Sequence, residues 1–335
     1  MAIDPHAHII DEGFINSVRA GKFGPALSIE PGKNWELLIT RNRVLGKERL
    51  HRNPLPRQAF DIGMRLKDMD AAGVERQILS VVPPTMYYGL DIGLCREIAS
   101  AFNDSLVALA RKYPVRFSCM ATVPLPDPPA AARELERAVK MGHVGVEIGS
   151  NVAGKNLDDP ALDPFWQKAA DLDVPIFIHP TDVLGLEDRL KDYYLNNFIG
   201  NPLDTTIAAA CLIFGGVMDR FPGLKVILSH MGGFTPFIRG RWEHGYGERD
   251  EPKRNGAKHP EAYIGKFYYD TIIHNPDCFE FAYKTIGPDH LVYGTDYPFD
   301  MGDMGPAKEI AGLARIPAAD QEKILSGNTK KLYRL

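Results

Sequence analysis

The chain has 335 residues, of which 44% are hydrophobic and 24% charged, a composition typical of a globular protein with a large core. The formal net charge is −4 and there is no long basic run, so no electrostatic feature favours nucleic acid or an anionic membrane as a partner. The four cysteines are far apart and form no C-x-x-C pair, which argues against a zinc ribbon or a disulfide framework. With no recognisable signal peptide or membrane-spanning stretch, we expect a cytoplasmic protein.

Strand-like and helix-like segments alternate along most of the chain. The first strand ends in Ile3-Asp4-Pro5-His6-Ala7-His8, and residues 11–57 then lack sustained periodicity, which predicts an irregular insertion acting as a lid or binding loop. Seven helix–strand pairs follow: Phe60–Gly73 with Gln77–Val82, Cys95–Tyr113 with Arg116–Val123, Ala130–Gly142 with Val144–Ile148, Asp163–Leu172 with Val174–His179, Leu203–Phe221 with Leu224–His230, a helix beginning near Phe234 with Phe267–Thr271, and Pro276–Ile286 with His290–Asp296.

This alternation indicates parallel strands joined by helices. Counting the first strand gives eight strands, which predicts one α/β domain over residues 1–335, a single (β/α)8 TIM-type barrel with a long insertion after strand 1. The competing architecture is an open, doubly wound sheet. That fold normally has a glycine-rich phosphate loop after its first strand, and this sequence has none.

Residues that can bind metals lie at the ends of four predicted strands. His6 and His8 are two apart and so share one face of the first strand, while His179, His230 and Asp296 end three later strands. In a barrel all five would meet at the C-terminal mouth. Imidazoles, one carboxylate and an open position suit zinc or a similar divalent ion that acts on a substrate.

The remaining histidines show no such pattern. One of them, His274, follows the seventh predicted strand and either lines the mouth or closes a turn. Five others are expected at the solvated surface: His51, His143, His244, His259 and His290.

Four motifs contain the predicted ligands: Asp4-Pro5-His6-Ala7-His8, His179-Pro180, Ser229-His230-Met231-Gly232-Gly233 and Gly294-Thr295-Asp296-Tyr297-Pro298-Phe299. Together they resemble the amidohydrolase superfamily, and within it the branch of the 2-amino-3-carboxymuconate-6-semialdehyde decarboxylases. The resemblance extends through nearly the whole chain. The D-x-H-x-H start is closer to this branch than to the resorcylate and dihydroxybenzoate decarboxylases, which tend to begin with a glutamate-containing variant.

The resemblance implies a single zinc ion, or another divalent metal, held by His6, His8, His179 and Asp296 with a water completing its shell. His230 would lie beside the metal as the general acid/base, and Asp296 would also orient the water. The fourth strand carries Glu147 where two-metal relatives have a bridging residue. Glu147 either bridges a second ion or is a packed barrel residue.

The resemblance, with its implied metal site and His230, implies non-oxidative decarboxylation of a carboxymuconate semialdehyde or a related acid of aromatic catabolism. His230 would first deprotonate the metal-bound water or the substrate and later protonate carbon. The alternative is a metal-dependent hydrolase of a lactone or cyclic amide, which the same water would serve. A non-catalytic metal protein is disfavoured, because a structural zinc site rarely keeps a spare histidine beside it.

We expect arginine to bind a carboxylate substrate, because its planar guanidinium group binds carboxylates bidentately. By resemblance, Arg241 and Arg249 match carboxylate-binding positions, and the first acts across a dimer interface, which implies a homodimer. The insertion offers Arg49 and Arg52 as a third arginine. We favour Arg52, with Lys47 assisting.

Two aromatic residues complete the predicted substrate site, Tyr194 and Phe299. The chain also departs from the decarboxylase pattern after His179-Pro180, where that branch carries a tryptophan and this chain has Thr181 followed by Asp182. We expect this departure to affect the substrate more than the type of reaction.

Overall fold

Parallel strands joined by helices form a curled sheet at the centre of the molecule. The computed structural model describes residues 1–335 apart from 45, 187, 256–257, 304, 306 and 308–309. The strands of the sheet are β1 Ala2–Ile9, β5 Val74–Val81, β6 Phe117–Ala121, β7 Gly145–Gly149, β8 Pro175–His179, β9 Lys225–Leu228 and β10 Tyr268–Tyr269. They are hydrogen-bonded in that order, and every pair is parallel.

Helices cover the outside of this sheet and connect its strands. Within the described residues they are α1 Glu12–Arg19, α2 Ile62–Ala72, α3 Ile92–Lys112, α4 Pro128–Met141, α5 Asp163–Leu172, α6 Asn201–Phe214, α7 Val217–Arg220, α8 Thr235–Glu248, α9 Glu261–Ile264, α10 Pro276–Ile286, α11 Ala318–Glu322 and α12 Asn328–Tyr333. None of these helices has both the length and the apolar character needed to cross a bilayer.

An eighth segment, residues 291–297, joins the two edges of the sheet. It forms one bridge with Tyr269 of β10 and another with Ala7 of β1. This segment makes isolated bridges instead of a continuous strand. Within it, Asp296 has a φ of 56°, and this left-handed conformation turns the backbone at the mouth. The prediction of a (β/α)8 TIM-type barrel is confirmed.

The segment between β1 and α2 contains regular structure where the sequence predicted an irregular loop. It holds α1 and an antiparallel sheet of β2 Leu27–Glu30, β3 Glu36–Val44 and β4 Lys47–Leu55. In β4 the partly buried positions are Arg49, His51 and Asn53, which alternate with exposed residues. Because both faces of this strand are largely polar, hydrophobic periodicity did not reveal it.

Two further expectations are wrong. The helix predicted over Leu203–Phe221 is two helices, since Gly216 takes a φ of 73° between α6 and α7 and interrupts the helical backbone. His143, expected at the surface, is buried, and its Nε2 lies 3.0 Å from the carbonyl oxygen of Asn103.

A buried polar network connects α2 to the barrel. The guanidinium of Arg65 is fully buried, and it donates to Gln77 Oε1 at 2.9 Å and to the carbonyl oxygen of His8. The amide of Gln77 donates to Asp4 at 3.0 Å, and the hydroxyl of Thr295 donates to the same carboxylate at 2.7 Å. A buried charge is costly without partners, and these hydrogen bonds supply them. The network thereby links β1, β5, α2 and the closing segment.

Arg65→Met is expected to lower the free energy of unfolding by about 3–5 kcal/mol, because it leaves the buried Oε1 of Gln77 and the buried carbonyl oxygen of His8 without their donor. Urea denaturation measures the loss. The control is Arg57→Met, whose side chain is 69% exposed and pairs with Asp61, and which should cost about 0.5 kcal/mol or less. Equal losses in the two variants would contradict the role given to the network.

Candidate metal centre and active site

Three histidines and one aspartate meet at the C-terminal mouth of the barrel. Oδ1 of Asp296 lies 3.2 Å from Nε2 of His6 and 3.2 Å from Nε2 of His8. The same oxygen lies 3.9 Å from Nε2 of His179. These four atoms are buried, and none has a hydrogen-bond partner among the described residues. Because buried polar atoms are normally satisfied, four unpaired ligand atoms around one point fit a divalent cation.

The other nitrogen of each ring is fixed by an acceptor. Nδ1 of His6 lies 2.6 Å from Oδ2 of Asp270, and Nδ1 of His8 lies 3.0 Å from the carbonyl oxygen of Val81. Nδ1 of His179 lies 3.0 Å from the carbonyl oxygen of the next residue. Since carboxylate and carbonyl oxygens only accept, we assign the proton to each Nδ1, which leaves the lone pair of each Nε2 free to bind a metal.

The charge states of His8 and His179 agree with this arrangement. Burial lowers the pKa of His179 to about 3 and also lowers the pKa of His8, so both rings are neutral near pH 7. Burial acts to raise the pKa of Asp296, but His6 and the other imidazoles outweigh it and hold this pKa well below its usual range. Burial acts to lower the pKa of His6, but Asp296 and Asp270 outweigh it and raise this pKa well above its usual range. Without a bound cation the mouth therefore presents two neutral imidazoles and a protonated His6 beside ionised carboxylates, and a bound metal ion would displace the proton of His6.

His230 lies beside the four predicted ligands. Its Nε2 is 3.4 Å from Oδ2 of Asp296, and its Nδ1 is buried without a hydrogen-bond partner among the described residues. The four residues whose ligand atoms lie within 4.8 Å of one another are His6, His179, His230 and Asp296, so this group has His230 in place of the predicted His8. The structure thus brings together all five residues that the sequence placed at the mouth.

Asp270 is a site residue that the sequence analysis missed. Its carboxylate faces Nδ1 of His6 and accepts hydrogen bonds from the amides of His230 at 2.9 Å, Met231 at 2.8 Å and Ile272 at 3.0 Å. His230 and Met231 both have a φ of 53°, so this carboxylate fixes a turn that non-glycine residues rarely adopt. A signal was available, since Asp270 lies one residue before the end of the predicted strand Phe267–Thr271, close to the strand-end position of the predicted ligands.

Glu147 is buried inside the barrel and lies outside the convergent group. Its Oε1 is 3.5 Å from Nδ1 of His8, and neither carboxyl oxygen has a hydrogen-bond partner among the described residues. Burial raises its pKa well above the usual range. A buried carboxyl group whose pKa is raised in this way favours its neutral form, which fits a packed barrel residue better than a ligand to a second ion.

A cavity of about 970 Å³ opens at the mouth and reaches His179 and Asp296. One wall comes from the insertion, including His51, so the expectation that this histidine is a solvated surface residue is wrong. The charged side chains among the described lining residues, histidines aside, are all aspartates: Asp68, Asp182, Asp296 and Asp300.

The two predicted aromatic residues reach this cavity. The hydroxyl of Tyr194 lies 3.4 Å from Asp300, and the ring centroids of Phe299 and His8 are 5.4 Å apart. The four predicted cationic residues are exposed and are not among its lining residues: Lys47, Arg52, Arg241 and Arg249.

Arg49 is placed differently from Arg52, although the two are only three residues apart on β4. The side chain of Arg49 is 12% exposed and lies 3.9 Å from Asp182 of the cavity wall, whereas Arg52 is on the exposed side of the strand. Successive residues of a strand point to opposite faces, so only one of them can face the barrel. Of the two arginines, Arg49 is the one whose side chain lies beside the cavity wall.

Known proteins share this architecture. Residues 3–335 match the amidohydrolase family model. A 2-amino-3-carboxymuconate-6-semialdehyde decarboxylase from Dictyostelium discoideum is 31% identical over 337 residues, which cover 100% of this chain and 92% of that protein. A gamma-resorcylate decarboxylase from a Rhizobium species is 32% identical over 288 residues, which cover 81% of this chain and 86% of that protein.

Among solved structures, a dihydroxybenzoic acid decarboxylase from a Polaromonas species, with bound manganese and the inhibitor 2-nitroresorcinol, is similar with a TM-score of 0.80 and 26% identity. The match covers 100% of this chain and 97% of that one. The family match covers nearly the whole sequence, from β1 with its two histidines to the C-terminal helix. This chain therefore belongs to the amidohydrolase family.

Proposed function

We propose that this chain is a metal-dependent, non-oxidative decarboxylase of a carboxymuconate semialdehyde or a related carboxylic acid of aromatic catabolism. The observation that carries the proposal is the group of four unpaired, buried ligand atoms with His230 beside them at the end of a large cavity. The relatives reported above bear decarboxylase names, which favours this reaction over hydrolysis of a lactone or cyclic amide.

His6, His8, His179 and Asp296 would hold one ion. We propose zinc, because three imidazoles and a carboxylate suit it and because zinc binds such donors more tightly than manganese does. The manganese in the Polaromonas enzyme shows that a related centre accepts another metal. When bound, the ion supplies a Lewis acid that stabilises negative charge on the substrate.

His230 would carry the proton. Decarboxylation breaks the bond between the carboxyl carbon and the substrate carbon, releases carbon dioxide and leaves the electron pair on the substrate carbon. That carbon then takes a proton, which Nε2 of His230 can deliver. The Asp296 carboxylate, 3.4 Å away, stabilises the protonated imidazole before transfer.

The cavity walls would position a flat substrate. Tyr87 and Tyr88 line the cavity and are buried, and Phe299 and Tyr194 add further aromatic surface. Aromatic rings pack well against such walls and exclude water from the reacting carbon. We keep Tyr194 and Phe299 as substrate-binding residues.

We also propose that the chain is a single domain that forms a homodimer, with Arg241 contributed across the interface. Arg241 is exposed on α8. On the same helix, Phe237 is 46% exposed and stacks on Phe281, itself 44% exposed, with ring centroids 4.9 Å apart. Exposed apolar rings of this kind support an interface at α8.

The purified protein is expected to bind one divalent ion per chain, with zinc retained more tightly than manganese in chelator competition. His179→Ala removes a ligand and should weaken metal affinity by more than about 100-fold, which exceeds the usual effect of residues that only support ligands. Elemental analysis after dialysis measures bound metal. The control, His244→Ala, changes an exposed histidine. Equal metal content in the two variants would contradict the assigned centre.

His230→Gln is expected to lower kcat for carbon dioxide release by about 10²–10⁴-fold, the usual contribution of a general acid/base. Its metal content should stay at the wild-type level, because the four ligands remain. Release is measured on the metal-loaded protein with a panel of carboxymuconate semialdehydes and hydroxylated benzoates, with His244→Gln as the control. Unchanged turnover, or loss of the metal, would overturn the role of His230. Consumption of lactones without release of carbon dioxide would overturn the proposed reaction.

A further inference from the structure

A buried carboxylate on α6 holds two loops at the mouth of the barrel. Asp204 is 5% exposed and is not one of the described residues that line the cavity. Its Oδ2 accepts hydrogen bonds from the hydroxyl of Ser150 and, at 2.9 Å, from Nδ2 of Asn151, both in the loop that follows β7. Its Oδ1 accepts from the amide of Leu184 at 3.2 Å, in the loop that follows β8. One side chain thus joins two consecutive loops.

The loop after β7 is in turn bonded to the strand end that carries a predicted metal ligand. The amide of Ser150 donates to the carbonyl oxygen of His179 at 2.9 Å. Nδ2 of Asn151 donates to the carbonyl oxygen of Thr181 at 2.7 Å, and the amide of Thr181 donates to the hydroxyl oxygen of Ser150 at 3.4 Å. These bonds fix the backbone on both sides of Pro180, whose carbonyl oxygen lies 3.0 Å from Nδ1 of His179. The direction of Nε2 therefore depends on the loop after β7, because the contact at Nδ1 orients the ring.

The loop after β8 also forms part of the cavity wall. Residues 181–183 line the cavity, and Asp182 among them has a φ of 46°. Leu184 comes directly after this stretch, so its bond to Asp204 anchors the stretch at its far end. A residue in a sparsely populated conformation persists only when its surroundings hold it there. The carboxylate on α6 therefore supports the wall while it lies outside the cavity.

The chemistry of this position requires an acceptor on both oxygens. The partners that the described residues give Asp204 are three neutral donors, and burial raises its pKa. A carboxylate held only by neutral donors is costly to bury. Asparagine has nearly the same shape, but its amide nitrogen would face donors where the carboxylate accepts. A group of this cost, placed behind the mouth, is explained by the loops that it holds.

We propose that Asp204 is a positioning residue for the metal centre, which acts through Ser150 and the backbone around Pro180 to orient the ring of His179. The inference rests on the proposed function, because it deepens the account of the metal site on which that function depends. It adds a residue that touches neither the metal ion nor the substrate.

The test is the zinc affinity of the purified protein, measured by chelator competition at a temperature where every variant is folded. Asp204→Asn is expected to weaken zinc binding by about 10–100-fold, the usual effect of residues that support metal ligands. The visible absorption bands of the cobalt-loaded variant should also shift, because they report the coordination geometry. A residue that only stabilises the fold would change neither the affinity nor the spectrum.

Ser150→Ala is the second variant, which keeps the carboxylate and removes the hydroxyl between it and the amide of Thr181. It is expected to weaken zinc binding about tenfold, the lower end of the same range. This variant decides the outcome if Asp204→Asn does not fold, since it exchanges two small side chains and leaves Asp204 in place.

The matched control is Asn103→Ala, which removes a comparable bond between a helix and the segment after a strand. Asn103 is buried on α3, its Oδ1 accepts from the amide of Thr122 at 2.9 Å, and its Nδ2 donates to the carbonyl oxygen of the same residue at 2.9 Å. Thr122 directly follows β6, which carries none of the predicted ligands. This variant should lose stability in urea denaturation, while its zinc affinity and cobalt spectrum stay at the wild-type level.

Wild-type zinc affinity in a folded Asp204→Asn variant would overturn the inference, and so would wild-type affinity in Ser150→Ala. An equal loss of affinity in Asn103→Ala would overturn it as well, because the effect would then follow from general destabilisation. The proposed function fails separately, if the metal-loaded wild type releases no carbon dioxide from any acid in the panel. Zinc affinity is measured without substrate, so it tests the positioning role whichever reaction the centre performs.

Discussion

The site depends above all on the buried carboxylate of Asp270. One of its oxygens faces the ring of His6 on β1, and the same carboxylate accepts the amides of His230 and Met231 in the turn after β9. A single group thus orients a predicted metal ligand and the proposed proton carrier, which come from distant parts of the chain. Burial acts to raise the pKa of Asp270, but His6 and the surrounding donors outweigh it, so the carboxylate stays ionised.

The segment that closes the barrel also positions a predicted metal ligand. Asp296 comes from the segment that joins β1 to β10, and its amide donates to the carbonyl oxygen of His6 at 2.8 Å. Gly294 permits this close approach, because a Cβ there would lie 3.0 Å from the Cβ atoms of both His6 and Asp270. The cavity walls come partly from a different part of the molecule, the insertion and the loop after β8, so these walls can vary while the centre stays fixed.

Much of the fold and the centre could be predicted from sequence because the signals are local. A ligand at the end of each buried strand reaches the same mouth whenever the strands are parallel, so His6, His8, His179, His230 and Asp296 could be placed together. The insertion was predicted, but its antiparallel sheet was hidden because β4 has polar residues on both faces. To decide between Arg49 and Arg52, one must know which face of β4 is turned toward the barrel. That depends on the pairing of β3 with β4 and on contacts between residues distant in sequence, which the sequence alone does not give. His51 was assigned to the surface for the same reason.

The most direct test of the account is a crystal structure of the zinc-loaded protein with anomalous data at the zinc edge. The account predicts one zinc peak bound by Nε2 of His6, His8 and His179 and by Asp296, at about 2.0–2.2 Å, with His230 outside the coordination shell. A zinc ion bound by His230 in place of His8 would contradict it, because the proton carrier would then be a ligand. A second ion at Glu147 would contradict the single-metal centre.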